Sequence, residues 1–220
     1  MKITSHGLKQ TTWEKIRADA SFRKQLLISF LFLAVVLAGF FFVLAFVENR
    51  DGLIIEKGWL DGIASTHDFS AIIFPLTYST IIAGVIIAAQ NPEKLLLMIR
   101  AYAFLQLLRG ISLLVFPLDP PGGIIPLHDP FLQSTFYNGR ANLKDLFFSG
   151  HVATIVMFIP VLGRSWLKYT FALSALAVGI LLVVQRAHYV ADVAAAPLFS
   201  GLSFWLASSW TSSSSKESAG

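Results

Sequence analysis

Uncharged stretches of membrane length are the strongest constraint that this sequence places on the fold of the chain. Residues 26–47 contain no charged side chain, and neither do residues 69–89. A helix of about 20 apolar residues crosses the roughly 30 Å hydrocarbon core of a bilayer, so each stretch is long enough to span it. Helices satisfy all their backbone hydrogen bonds internally, which lipid requires. We therefore predict an all-α, polytopic membrane protein.

Four more apolar segments bring the number of predicted transmembrane helices to six. The predicted helices are Leu26–Val47, Phe69–Ala89, Leu95–Phe116, Leu146–Leu162, Tyr169–Val184 and Tyr189–Trp210. The fifth is close to the lower length limit, so it requires tilt or local thinning of the bilayer. We predict one transmembrane domain over residues 26–207. It is flanked by a basic arm over residues 1–25 and a disordered polar tail over residues 208–220.

Positively charged residues predict the side of the membrane on which each loop lies, because cytoplasmic loops are enriched in lysine and arginine. The segment before the first predicted helix contains Lys2, Lys9, Lys15, Arg17, Arg23 and Lys24. Six crossings then put both termini in the cytoplasm and the loops before the fourth and sixth helices on the opposite face. We expect a multi-pass protein of a bacterial inner membrane, with an endomembrane as the alternative. We attribute the basic arm to topology and anionic lipid headgroups, and expect no nucleic acid partner.

The amino-acid composition excludes several kinds of chemistry. The chain has no cysteine, which rules out disulfides, thiolate metal sites and a cysteine nucleophile. The sequence also contains no glycine-rich phosphate loop and no dinucleotide-binding fingerprint. Catalysis would therefore depend on histidine, aspartate, arginine and serine.

His188 is the first candidate for a catalytic residue, because Asp192 follows it by four positions. On a helix this spacing puts both side chains on one face, with Cβ atoms about 5–6 Å apart. A carboxylate in that position fixes the tautomer of the imidazole and leaves its other nitrogen available as a nucleophile or base. A purely structural hydrogen bond explains the same spacing, so both interpretations stay open.

His151 is the second candidate and follows a serine and a glycine, in the order Ser149-Gly150-His151. A glycine lets the backbone approach a ligand closely, and the N–H groups at a helix start form an anion site with the positive end of the helix dipole. One inward helix and one outward helix separate the two histidines, so both are predicted to lie at the same membrane level. Alternatively, the serine and glycine only mark the start of a helix.

Together, these two motifs resemble those of a known family. Residues 145–151 and 188–193 resemble the signature motifs of sphingomyelin synthases and of the plant phosphatidylcholine:diacylglycerol cholinephosphotransferases. Both groups form a branch of the type-2 phosphatidic acid phosphatase superfamily. The resemblance implies that His188 attacks a lipid phosphorus atom to form a phosphohistidine, or activates the acceptor, while Asp192 orients it. His151 would protonate the leaving alcohol and deprotonate the incoming one, with no metal ion and no other cofactor.

Several residues near these motifs are candidates for substrate binding. Arg109 lies in the outer half of a predicted helix, where it either clamps a phosphate or extends to lipid headgroups. Arg186 either binds the phosphate or marks a helix boundary, and Asp145 either contacts substrate or orders its loop. The complete set of predicted binding residues is Arg109, Lys144, Asp145, Ser149, Gly150, Arg186 and Tyr189.

Four functions follow from these candidates. The leading one is a lipid phosphotransferase that moves phosphocholine or phosphoethanolamine from a membrane phospholipid donor to a lipid alcohol acceptor. The runner-up is a phosphatase of lipid phosphates or diphosphates that uses the same residues with water as acceptor. A non-enzymatic membrane scaffold and a metal enzyme built on the two histidines and the aspartate are the remaining alternatives. The sequence predicts neither the headgroup nor the oligomeric state.

Overall fold

Every regular element that the structure describes is helical. The computed structural model describes residues 13–14, 19–54, 67–127, 142–163 and 165–217. The helices are α1 (Ala20–Glu48), α2 (Ser70–Ala89), α3 (Pro92–Val115), α4 (Gly150–Phe158), α5 (Leu167–Val184) and α6 (Val190–Glu217), and a 3₁₀ turn (Ile159–Leu162) continues α4. The all-α fold class is confirmed for these ranges. Most of the predicted basic arm, residues 1–12 and 15–18, lies outside them.

Five of these helices are long and apolar enough to cross a membrane, whereas α4 is shorter. The predicted count of six spans, and with it the cytoplasmic termini, is therefore not confirmed. The fourth helix was predicted to begin at Leu146, but it begins at Gly150. The chain approaches it without helical structure, because the Glu48 carboxylate accepts hydrogen bonds from the backbone N–H groups of Leu143 and Lys144.

The two terminal helices are longer than the sequence predicted. Helix α1 begins six residues before Leu26, because the Asp19 side chain accepts hydrogen bonds from the backbone N–H groups that follow it. Helix α6 continues to Glu217, through the segment that we predicted to be a disordered tail. Along that segment hydroxyl groups donate to carbonyls four residues earlier, which gives polar side chains partners within the helix; the donors are Ser208, Ser209, Thr211 and Ser212.

Helices α3 and α4 lie side by side in opposite directions. Lys94, near the start of α3, donates to the carbonyl of Val161 at 2.9 Å. At the other end, the Arg109 guanidinium lies directly against Gly150, the first residue of α4. Helix α4 therefore runs along the part of α3 between Lys94 and Arg109.

Close contacts hold the neighbouring helices around α4. A Cβ at Gly84 of α2 would lie 2.6 Å from the ring of Phe158, and a Cβ at Gly179 of α5 would lie 2.7 Å from a methyl group of Val193 in α6. Only a residue without a side chain fits at either contact. The first contact packs α2 closely against the end of α4, and the second packs α5 closely against the first turn of α6.

The outer surface of the helices is strongly apolar. Exposed side chains of α1 include Val35 and Phe42, each 71% exposed, and Leu198 of α6 is 75% exposed. Large apolar side chains in such numbers belong in lipid rather than in water. Together with the long apolar helices, they support a multi-pass membrane protein.

The interior of the bundle contains a second arginine, Arg100, which is only 1% exposed. Its guanidinium donates to Ser29 and Gln25 of α1 and to Thr211 of α6. It also lies over the ring of Trp210, 4.3 Å from the centroid. All of these partners are neutral, and they join α1, α3 and α6.

Candidate active site

The second motif forms a buried imidazole–carboxylate pair at the start of α6. The Nδ1 atom of His188 lies 3.3 Å from Oδ2 of Asp192, and the two side chains are 4% and 0% exposed. The same carboxylate oxygen accepts a hydrogen bond from the backbone N–H of Tyr189 at 2.9 Å, as acidic residues do in the first turn of a helix. Because Nδ1 faces the carboxylate, Nε2 of His188 is left for chemistry.

The first motif brings its histidine next to this pair. The ring centroids of His151 and His188 are 6.5 Å apart and the two rings are nearly perpendicular. The ring of Phe74 from α2 lies on another side of His151, at 5.7 Å between centroids. Two imidazoles at this separation can flank one tetrahedral phosphorus centre.

A backbone hydrogen bond joins the starts of the two helices that carry the histidines. The N–H of Ser149, which precedes α4, donates to the carbonyl of Asp192 in the first turn of α6 at 3.1 Å. Two helix N-termini therefore lie side by side. Each helix start carries the positive end of a helix dipole, which favours a negatively charged group.

Arg109 adds a fixed positive charge beside these helix starts. Its Nη2 atom pairs with Oδ1 of Asp145 at 2.5 Å, and its Nη1 atom donates to Oε1 of Gln106 at 3.2 Å. The guanidinium also lies over the Phe40 ring at 5.0 Å. Gly150 leaves room for the guanidinium at this contact, because a Cβ there would lie 2.5 Å from the guanidinium carbon.

Unused hydrogen-bonding atoms are concentrated at this cluster. The structure describes four buried side-chain polar atoms that have no hydrogen-bond partner, and three of them belong to Arg109 (Nε), Ser149 (Oγ) and Asp192 (Oδ1). Buried polar atoms normally have partners, so such a group calls for an explanation. A bound phosphate would accept from the arginine and the serine.

Part of the chain that contains this cluster matches a known family model. Residues 144–209 match the family model described as PAP2 superfamily C-terminal. This match over less than a third of the chain supports membership in the type-2 phosphatidic acid phosphatase superfamily, whose members are phosphatases or phosphotransferases, but it does not identify the sphingomyelin synthase-like branch. No curated protein and no solved structure matches the chain. The PAP2 segment contains both histidine motifs but not Arg109, which α3 contributes.

Three predicted binding residues connect the two histidine motifs to one loop. Lys144 pairs with the carboxylate of Asp119 at 2.8 Å, and the hydroxyl of Tyr189 donates to the backbone carbonyl of Asp119 at 2.9 Å. Arg186 donates to the carbonyl of Gly122 at 2.8 Å. All three contacts are with residues 117–125, which we call the proline-rich segment, so these side chains connect it to both motifs.

The charge of Lys144 also affects the acid that it binds. Its hydrogen bond to Asp119 lowers the pKa of that carboxyl below its ordinary value, and a hydrogen bond from the backbone N–H of Gly52 acts in the same direction. Asp119 therefore stays ionised under mildly acidic conditions and keeps the proline-rich segment attached to the loop after α1 and to the first motif.

Two glutamines at the site were not predicted from the sequence. Gln106 precedes Arg109 by three positions on α3, and its amide nitrogen donates to the hydroxyl of Tyr102 at 2.8 Å. Gln185 is fully buried; its oxygen accepts from the backbone N–H of Phe69, and its nitrogen donates to the carbonyl of Ile125. The sequence could have indicated Gln106, because it is an amide side chain in an apolar span, one helical turn from an arginine. Nothing in the local sequence distinguished the second.

Proposed function

We propose that this protein is an integral-membrane lipid phosphotransferase that moves a phosphoalcohol group, such as phosphocholine or phosphoethanolamine, from a phospholipid to a lipid alcohol. The observation that carries this proposal is the convergence of five groups on one small volume. These are the two imidazoles, the carboxylate of Asp192, the Arg109 guanidinium and the pair of helix N-termini. Together these groups supply a nucleophile, an acid–base group and positive charge for a reaction at phosphorus.

In the first half of the reaction, Nε2 of His188 attacks the phosphorus atom of the donor lipid. The phosphorus–oxygen bond to the diacylglycerol breaks, and protonated His151 gives its proton to the departing oxygen. Asp192 holds the attacking ring in one tautomer and stabilises the positive charge that develops on it. Arg109 and the helix N-termini stabilise the charge on the oxygens of the transferring group.

In the second half, an acceptor alcohol takes the place of the diacylglycerol. Neutral His151 removes its proton, the alkoxide attacks phosphorus, and the bond between phosphorus and Nε2 of His188 breaks. Both histidines return to their starting states, so the two half-reactions balance. A site whose nucleophile is 5% exposed favours a bound alcohol over bulk water, since burial limits the supply of water.

A phosphatase acting on lipid phosphates or diphosphates is the second candidate. The match to a superfamily named after a phosphatase favours it, and water would then replace the alcohol in the second half-reaction. The same residues would serve both reactions. The two proposals therefore differ in the acceptor rather than in the catalytic groups.

The deciding experiment supplies purified protein in vesicles with a headgroup-labelled phosphatidylcholine or phosphatidylethanolamine, or with phosphatidic acid, in each case with and without diacylglycerol or ceramide. Transfer predicts a labelled lipid product that requires the added alcohol. Hydrolysis predicts a labelled water-soluble product, or free phosphate from phosphatidic acid, that does not require it. Absence of turnover with all of these lipids would contradict both proposals.

A covalent intermediate would test the role of His188 separately from the acceptor. Rapid acid-free denaturation during turnover should trap a phosphoryl group on this histidine, detectable by mass spectrometry. His188→Ala and His151→Ala should each abolish turnover while the protein stays folded in the membrane. Near-normal turnover of either variant would contradict the assigned roles.

The membrane orientation is part of the same proposal. We place the active site on the non-cytoplasmic face, with cytoplasmic termini, on the strength of the basic residues before α1, and a bacterial inner membrane is the favoured location. The chain has no cysteine, so single cysteines at Gly122 and Trp166 can report the side directly. An impermeant maleimide added to intact cells should label the first and not the second.

A further inference from the structure

A groove of about 150 Å³ lies between α4 and α6, on the membrane side of the helix pair that carries both histidines. One wall contains Val156 and Pro160, and the other contains Pro197 and Gly201. The proline and glycine residues of these walls are exposed. The groove is therefore open to the bilayer rather than enclosed in the protein.

The groove has an apolar lining although a serine contributes to it. The hydroxyl of Ser200 is turned to the backbone, where it contacts the carbonyls of Ala153 and Ala196, each at 2.8 Å. This side chain joins α6 to α4 at the upper edge of the groove. The surface that remains is suited to a hydrocarbon and offers nothing to a polar ligand.

The groove lies at a definite distance along the helices from the two histidines. Val156 and Pro160 follow His151 by five and nine residues, and Pro197 and Gly201 follow Asp192 by the same numbers. At 1.5 Å per helical residue, the groove lies about 8–14 Å below the histidines. This is the depth at which the first part of an acyl chain lies when the phosphate of its lipid is held between the two helix starts.

We propose that this groove binds one acyl chain of the donor phospholipid and thereby orients its phosphorus between the two histidines. The inference rests on the proposed function and deepens it. A lipid tail gains little free energy by leaving the bilayer for an apolar groove, because both surroundings are apolar. The groove therefore orients the donor rather than adding much to its affinity. Only donors whose acyl chains are long enough to reach the groove are oriented in this way.

Gly201 permits a direct test. A Cβ at this position would meet no atom within 4 Å, and the same is true of Gly39 on the exposed face of α1. Gly201→Leu adds a side chain at the wall of the groove, and its Cβ displaces no protein atom; Gly39→Leu makes the same change on α1. Both variants should keep the unfolding temperature of the parent chain.

Turnover is measured with dioleoyl and with dibutyryl phosphatidylcholine, whose short chains end above the groove. Gly201→Leu should lower kcat/KM for the long-chain donor by about tenfold, within the roughly 10²-fold loss that a displacement of 1 Å can cause. It should leave the short-chain donor unchanged, and Gly39→Leu should change neither value. Equal loss with both donors, or equal behaviour of the two variants, would overturn the groove proposal.

A binding measurement separates this proposal from the reaction itself. Phosphatidylcholine with a photoreactive diazirine in one acyl chain, incorporated in vesicles, should label residues 156–160 or 197–201, and Gly201→Leu should abolish that labelling. If the parent chain turns over no lipid, the proposed function fails while the labelling still decides the groove. Labelling spread evenly over the exposed helices would show that the groove holds only bulk lipid. A change of oligomeric state in Gly201→Leu alone would assign the groove to a second copy of the chain. Either result would overturn the proposal.

Discussion

Gly150→Ala is the substitution that tests the geometry of the site most directly. The added Cβ would lie 2.5 Å from both Cζ and Nη1 of Arg109 and 2.8 Å from Nη2. Ordinary contacts between such atoms are about 3.5–4.0 Å, so the guanidinium must retreat by about 1 Å. The backbone of α4 has no need to move, because the clash involves the far end of a flexible side chain.

The expected cost therefore falls on catalysis rather than on folding. Alanine is a better helix former than glycine by about 1 kcal/mol, which offsets part of the rearranged contact between Arg109 and Asp145. We expect a change of no more than about 1 kcal/mol in the free energy of unfolding. A displacement of 1 Å can cost about 10²-fold in rate, equivalent to about 2.7 kcal/mol of transition-state stabilisation.

A double-mutant cycle with Arg109→Ala gives the decisive assay, in which initial rates of headgroup release from a labelled phospholipid are compared. If Gly150 acts through the guanidinium, Gly150→Ala should lower turnover in the parent chain and have no further effect once the arginine is gone. Gly39→Ala, whose Cβ meets nothing within 4 Å, is the matched control. Unchanged turnover of Gly150→Ala, or full additivity with Arg109→Ala, would refute the reasoning.

Three further predictions concern charged side chains. Asp192→Asn should lower turnover by about 10²–10⁴-fold, because the amide no longer enforces one histidine tautomer; a rate within threefold of the parent, about 0.6 kcal/mol, would contradict it. Arg109→Met should abolish activity, whereas Arg100→Met should preserve it. The hydroxyl groups that bind Arg100 also donate to carbonyls of their own helices, so they keep a partner when the arginine is removed. Equal effects of the two substitutions on the measured rate would contradict this difference between the arginines. Because Lys144 lowers the pKa of Asp119, their bond stabilises the proline-rich segment above the ordinary carboxyl pKa and is lost as the pH falls below about 4. Limited proteolysis of the parent chain should therefore cut the proline-rich segment faster in acid, whereas cleavage of Asp119→Asn should not depend on pH in this range. Identical pH profiles of parent and variant would count against the assignment.

The sequence predicted those features that depend on spacing along one element. The separation of His188 from Asp192 placed the pair on one helical face, and apolar segments of membrane length identified five of the helices. Features that depend on contacts between distant residues could not be predicted in this way. The start of α4 at Gly150 depends partly on Glu48, and the position of Lys144 depends on Asp119, neither of which lies near its partner in the chain.

Helix α4 is shorter than the predicted span, and its length determines where the site lies along α3. Helix α4 with its 3₁₀ turn is about 21 Å long, against about 36 Å for α3. The start of α4 therefore lies opposite Arg109, about 9 Å from the C-terminal end of α3 at Val115. A helix that began at Leu146 would instead place its N-terminus about 6 Å beyond Gly150, past Arg109. The non-helical residues that replace its first turns are tolerated at that depth because protein surrounds them: Leu146, Phe148 and Ser149 are at most 1% exposed.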